Sequence, residues 1–226
     1  MNLLSDRLKR LCEVVPACDT LADIGCDHGY VSIELVNSGK VKHILAMDVN
    51  KGPLERAKEN IENAGLSDKI ETRLSNGLHN TSDKEHFDTI LIAGMGGRLI
   101  RDILTDGSVK VACATCLVLQ PQSEIFLVRE YLESIGFTIS HETCIKDRDK
   151  YYFILVCLKG EVRAQEEPFF YEYSQFLLDR KDPTYREYLE KSLKAIRGYI
   201  LKAGDKSDRL LADRENIEKA LSFYQK

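Results

Sequence analysis

Short apolar runs alternate with helix-like stretches through most of the chain. The runs at 20–24, 43–48, 69–74, 87–92 and 116–120 are rich in Ile, Leu, Val and Ala and predict five strands. Between them, apolar positions recur every three or four residues in 29–38, 51–64, 96–105 and 123–135, which predicts four helices. Such alternation builds a largely parallel sheet with helices on both faces. After Gly136 the pattern changes. Two strand-like runs, 137–146 and 151–158, are separated only by Asp147-Arg148-Asp149-Lys150, too little chain for a helical crossover, so they predict an antiparallel hairpin. The expected fold class is α/β, with a mostly parallel Rossmann-like sheet that ends in this hairpin.

A polar stretch at 161–167 marks a second change and predicts a boundary near Gly160, with one unit at 1–160 and a helical one at 161–226. From Pro183, Tyr185, Leu189, Leu193, Ile196 and Ile200 form one apolar stripe. After Ala203-Gly204-Asp205, a second stripe follows at Leu210, Leu211, Ile217, Leu221 and Tyr224. Two such helices joined by a short glycine-containing turn predict an antiparallel coiled-coil hairpin. Between Arg180 and Arg209 nine Lys or Arg accompany five acids, in a chain whose net charge is −4. The acidic whole argues against indiscriminate binding through a generally basic surface. The local excess is either a nucleic-acid contact or a solvated helix face of mixed charge.

No apolar run approaches the roughly 20 residues of a membrane span. The first residues mix Asp6, Arg7, Lys9 and Arg10 among leucines, unlike a secretion signal, so a cytoplasmic location is expected. Seven cysteines, an odd number in no regular framework, fit free thiols in a reducing compartment. Cys113 and Cys116 lack a second pair or a nearby His to complete a zinc site, and no metal is expected.

Candidate chemistry lies where predicted strands end. The first runs into Asp23-Ile24-Gly25-Cys26-Asp27-His28-Gly29, where Gly25 and Gly29 allow a sharp turn and close approach of backbone to a ligand. The second ends in Asp48, placed to accept hydrogen bonds from ribose hydroxyls. The third is followed by Asn76-Gly77, either an adenine contact or an ordinary turn. A nicotinamide-binding turn would need a glycine where Asp27 stands, because a carboxylate there repels a pyrophosphate. S-adenosylmethionine carries a sulfonium and an ammonium and no phosphate, so carboxylates at Asp23 and Asp27 suit it better. The fourth strand ends in Ala93-Gly94-Met95-Gly96-Gly97 and the fifth in Leu119-Gln120-Pro121-Gln122, both at the sheet edge where substrates bind in open α/β folds.

These motifs, with Leu4-Ser5-x-Arg7-Leu8 near the start and the helical hairpin near the end, resemble the bacterial tRNA (adenine-22 N1) methyltransferase family, often called TrmK. The resemblance spans essentially the whole chain. It implies a class I methyltransferase sheet, S-adenosyl-L-methionine as cofactor, tRNA as partner, and methyl transfer to N1 of an adenine. Asp23, Gly25, Gly29, Asp48, Asn76, Gly77, Ala93 and Gly94 would then bind the cofactor, and Arg7, Met95, Gly96, Gly97, Gln120 and Pro121 the substrate. Asp27 is either a carboxylate beside the methylated base or a cap on the following helix. His28 either bonds the base or packs beneath the loop. No membrane contact or obligate protein partner is expected. Two other readings are a methyltransferase of a small molecule or protein whose hairpin dimerises, and a non-enzymatic cofactor-binding module.

Overall fold

The structure is a computed structural model and describes residues 4–160, 165, 167–203 and 208–225. In chain order its elements begin α1 (Asp6–Val14), β1 (Cys18–Ile24), α2 (Tyr30–Asn37), β2 (Val41–Asp48), α3 (Lys51–Asn63), β3 (Ile70–Leu74), β4 (Thr89–Met95) and α4 (Gly97–Asp106). They continue with α5 (Ser108–Cys113), β5 (Cys116–Pro121), α6 (Ile125–Ser134), β6 (Phe137–Asp147), β7 (Lys150–Lys159), α7 (Phe169–Glu172), α8 (Gln175–Asp179), α9 (Pro183–Ala203) and α10 (Asp208–Ser222). All predicted strands form, with shifted ends. The largest shift is in β4, which runs three residues past Ile92 because Gly94, at φ +80°, lets the pairing with β5 continue through an irregularity between Ala93 and Met95.

Seven strands lie in the order β3-β2-β1-β4-β5-β7-β6. The first five are parallel and β7 is antiparallel to both β5 and β6. The β6–β7 turn closes on Arg148 and Asp149, with Arg148 in the left-handed region, so the hairpin is tighter than its four polar residues suggested. Side chains alternate across the sheet with the strand period of two. Ala22, Ile24, Ile90, Ile92, Leu117, Leu119 and Leu155 join one buried cluster, while Leu21, Ile44, Leu91, Val118 and Ile154 join the other with α1, α2 and α3.

The first cluster also takes in Tyr173, Leu177, Leu178, Tyr185, Leu189, Ile217 and Ala220, so the C-terminal helices complete the core over Phe137 and Phe153. An ion pair is sealed beneath them. Arg129 Nη2 donates to Glu142 at 2.6 Å, Arg129 Nη1 donates to the carbonyls of Tyr171 and Glu172, and the Ser174 hydroxyl donates to Glu142 at 2.5 Å. α9 and α10 run antiparallel, linked by Arg197–Glu218 near one end and by the Tyr224 hydroxyl on the Asp182 carbonyl at the other. The Gly204-Asp205 turn predicted between them lies outside the described residues. Several basic residues of this segment have acidic neighbours, as in Arg186–Glu190. Among the described residues no helix is long and apolar enough to cross a membrane.

Candidate cofactor and substrate site

The parallel strands bring their carboxyl ends to one edge, and the loops there carry the predicted motifs. β1 turns at Gly25, whose φ is +76° and where an added Cβ would collide with the Met95 methyl, so a side chain there would be strained and would displace Met95. The Gly25 and Cys26 N–H groups donate to the Met47 carbonyl at 2.8 and 2.9 Å and tie this loop to the end of β2. Asp27 is also left-handed, at φ +51°, a conformation Asp tolerates better than most residues. Asp48 locks the two loops together. Its Oδ2 accepts from the Asp27 N–H at 3.2 Å and its Oδ1 from the Asn50 N–H at 2.8 Å.

Asp23 is 4% exposed, with one oxygen accepting from the Ser32 hydroxyl at 2.6 Å. Burial raises its pKa to about 6; the Ser32 bond opposes the rise and the nearby Asp48 charge adds to it. The thiol of Cys26, buried beside these carboxylates, is also pushed up, first by burial and then by Asp23 and Asp48. It is therefore a protonated, inert cysteine.

A cavity of about 520 Å³ opens over these loops. Asp23, Gly25, Asp27, His28, Asp48, Asn76, Gly77, Ala93, Gly94, Met95 and Arg7 all line it. Three carboxylates thus face one space, two of them buried, an arrangement that favours a cationic ligand. Asp27 does not cap α2: the N-cap is Gly29, with no side-chain cap bond, and the Asp27 carboxylate is 70% exposed, 3.6 Å from His28 Nε2. His28 stacks on Tyr30 with ring centroids 5.8 Å apart while still bordering the cavity.

The remaining predicted residues lie behind or beside this wall. Gly29 starts α2 against Ala57 and Ile61. Gly96 and Gly97 pack on 123–124, where the Gly97 N–H donates to the Ser123 carbonyl at 2.9 Å; the Ser123 hydroxyl lies beside Gly96, and the 123–124 backbone fills the space beside Gly97. Pro121 pairs with Met95 in the sheet and borders a neighbouring cleft. Gln120 is fully buried and accepts from Arg7 Nη1 at 2.5 Å. That bond, with the Arg7 guanidinium 5.2 Å over the Tyr152 ring, anchors α1 across the strand ends.

Sequence reading missed Leu8, Tyr30, Val49, Leu99 and Ile103 in the cavity wall. A signal existed for two of them. Val49 and Leu99 are large apolar residues left 60% and 50% exposed, directly after a strand-end carboxylate and within a glycine-led helix start. Among the described residues no cluster of three His, Cys, Asp or Glu is arranged to hold a metal ion.

A family model described as a methyltransferase domain matches residues 4–155. The tRNA (adenine(22)-N(1))-methyltransferase of Bacillus subtilis (strain 168) is 35% identical over 158 residues, covering 70% of this chain and 66% of that protein. A putative tRNA methyltransferase of Mycoplasma genitalium is 32% identical over 61% of each chain. The match thus spans slightly less than two thirds of these curated relatives. Full-length likeness appears among solved structures. Streptococcus pneumoniae Sp1610, a putative tRNA (m1A22) methyltransferase, superposes with a TM-score of 0.90 at 32% identity, covering 97% of this chain and 100% of that one, and it has also been solved with S-adenosyl-L-methionine. M. capricolum TrmK with S-adenosyl-homocysteine superposes with a TM-score of 0.87 at 26% identity, covering 99% of this chain and 100% of that one.

Proposed function

Because the chain belongs to the bacterial tRNA (adenine(22)-N(1))-methyltransferase family, we propose that it transfers a methyl group from S-adenosyl-L-methionine to N1 of adenine 22 in tRNA. The observation that carries this reading is the meeting of Asp23, Asp48 and the Gly25 turn in one cavity, a cradle built for a cation and a ribose without the means to hold a pyrophosphate. When bound, S-adenosylmethionine supplies an activated methyl group on a cationic sulfur. Asp48 keeps free lone pairs for the ribose hydroxyls beyond its two backbone donors. Asp23 faces the ammonium end, and Asn76, Gly77 and Val49 border the adenine end.

Adenine N1 has an available lone pair and needs no prior deprotonation, so the work of the chain is alignment and exclusion of water. Ala93 and Gly94 border the cofactor and Met95 the target ring, with Arg7 fixed above by Gln120. Positive charge that accumulates on the ring is met by the Asp27 carboxylate, with His28 beside it. Residues 1–160 supply this machinery and 161–226 supply a surface that helps hold tRNA through phosphate contacts. A base inside folded tRNA must be extruded, at a cost of a few kcal/mol, before it enters such a cavity. The location that fits this substrate is the cytoplasm.

The test is to incubate the protein with bulk tRNA and labelled S-adenosylmethionine and map the modified nucleotide. Label at N1 of adenine 22 is expected. Turnover confined to a small molecule or protein, or cofactor binding without turnover on tRNA, would refute the proposal.

A further inference from the structure

The turn between β6 and β7 stands beside the strand-end cavity without lining it. β7 is antiparallel to β5, so it begins at the edge where the parallel strands end. The Arg7 N–H donates to the Asp147 carboxylate at 3.3 Å, and the Arg7 side chain borders the cavity, which places the turn next to the α1 wall. Arg148 and Asp149 form its tip. Arg148 is exposed and left-handed, at φ +57°, in the first central position of a two-residue hairpin turn, where Gly, Asn or Asp is the usual residue. Local geometry therefore does not select arginine there. Lys146 and Lys150 are exposed on the two strands, and Lys191, exposed on α9, reaches the tip by donating to the Asp149 carbonyl at 3.3 Å. Two of the three nearby acids are engaged: Glu187 pairs with Lys146 at 2.5 Å, and Asp147 is turned to α1. Among the described residues the Arg148 and Lys150 side chains have no hydrogen-bonded or ion-paired partner, Lys191 has no ion pair, and Asp149 alone offers an unengaged carboxylate. Three uncommitted cations thus face one uncommitted acid.

We propose that Arg148, Lys150 and Lys191 form a phosphate clamp that grips the backbone of the substrate RNA beside the strand-end cavity. The inference rests on the RNA-substrate reading above and deepens it, because it assigns the contact to one corner of the fold and not to the basic helical segment at large. Exposed cations spread over two segments, the turn and α9, suit an extended polyanion and gain from the counterions that it releases. Contacts to phosphate fix register and orientation without reading bases. That is the demand on a surface that must deliver one nucleotide to the neighbouring cavity.

The experiment measures binding of bulk tRNA to the full-length protein over a series of salt concentrations. A triple variant, Arg148→Gln with Lys150→Gln and Lys191→Gln, is expected to bind at least tenfold more weakly at low salt and to flatten the slope of log Kd against log salt by about 2. Its affinity for S-adenosylmethionine should stay unchanged, as should kcat at saturating tRNA. A matched triple, Lys42→Gln with Lys69→Gln and Lys84→Gln, removes as many exposed charges at or before the amino ends of β2, β3 and β4, the far edge of the sheet, and is expected to leave the slope unchanged. Asp149→Asn deletes the one opposing carboxylate and should tighten tRNA binding about two- to threefold, a gain that misfolding cannot imitate. Equal losses from the two triples, or a tip triple whose affinity and slope match the unchanged protein, would overturn the inference and leave the first proposal standing. Absence of any tRNA methylation by the unchanged protein would remove both.

Discussion

Replacing Asp23 by Asn should stabilise the cofactor-free protein while disabling it. Asp23 is 4% exposed and its pKa stands at about 6, above the ordinary aspartate range. That rise corresponds to roughly 3 kcal/mol spent on holding the carboxylate ionised at pH 8, and linkage reduces this to about 1.5 kcal/mol at pH 5. The sign follows from proton binding. The folded state holds the proton more tightly than the unfolded state, so this group's penalty is absent below the unfolded pKa, grows as pH rises, and is complete above the folded pKa. Asn keeps an oxygen to accept from Ser32 and carries no charge, and its amide can reach water in the adjoining cavity. Because each kcal/mol moves Tm by about 2 to 4 °C at this chain length, Asp23→Asn is expected to gain on the order of 5 to 10 °C at pH 8, with a smaller gain at pH 5. Calorimetric melts at the two pH values check this. In the unchanged protein, S-adenosylmethionine affinity should fall as pH drops through about 6, since the cation needs the ionised carboxylate, and Asp23→Asn should bind weakly at every pH. A variant that melts no higher at pH 8 than the unchanged protein would show that Asp23 does not strain the fold, and one that keeps full affinity would show that it does not hold the cation.

Asp48→Ala removes a carboxylate that ties two loops and faces the ribose, so titration calorimetry should show affinity for S-adenosylmethionine weakened at least tenfold with the fold intact. Asp27→Asn keeps shape and deletes charge at an exposed position; steady-state kinetics should show a larger loss in kcat than in cofactor affinity, and equal kcat would leave Asp27 a turn residue. Gly97→Ala drives a Cβ into backbone, against the Glu124 carbonyl and within 2.7 Å of the Ser123 oxygen, so urea unfolding should show a loss of about 2 to 4 kcal/mol. Arg129→Met strands the buried Glu142 charge under the C-terminal helices and should cost about 3 to 5 kcal/mol, most of it recovered when Glu142→Leu is added; no recovery would mean the loss comes from packing.

The parts legible in the chain were those recorded by local period and local geometry. A strand buried on both faces must be apolar throughout, and a sharp turn against a ligand needs glycine, so the five parallel strands, the hairpin, Asp23, Gly25 and Asp48 could be read from spacing alone. Even there the glycine cluster misled in part: Gly94 shapes the cavity, whereas Gly96 admits the Ser123 hydroxyl and Gly97 the 123–124 backbone, and missing side chains look alike whatever fills the space. What periodicity reports is that a residue is buried, never against what. Nothing near Arg7 in the sequence points to Gln120, 113 residues away, yet that bond fixes α1 over the site. Likewise, helices marked only by their apolar stripes close over Arg129 and Glu142 and form a cleft beside the strand-end cavity. Those partnerships depend on how the chain returns across the sheet, because desolvation, ion pairing and cavity shape are set by groups brought together from distant segments, and only the tertiary structure decides which segments meet.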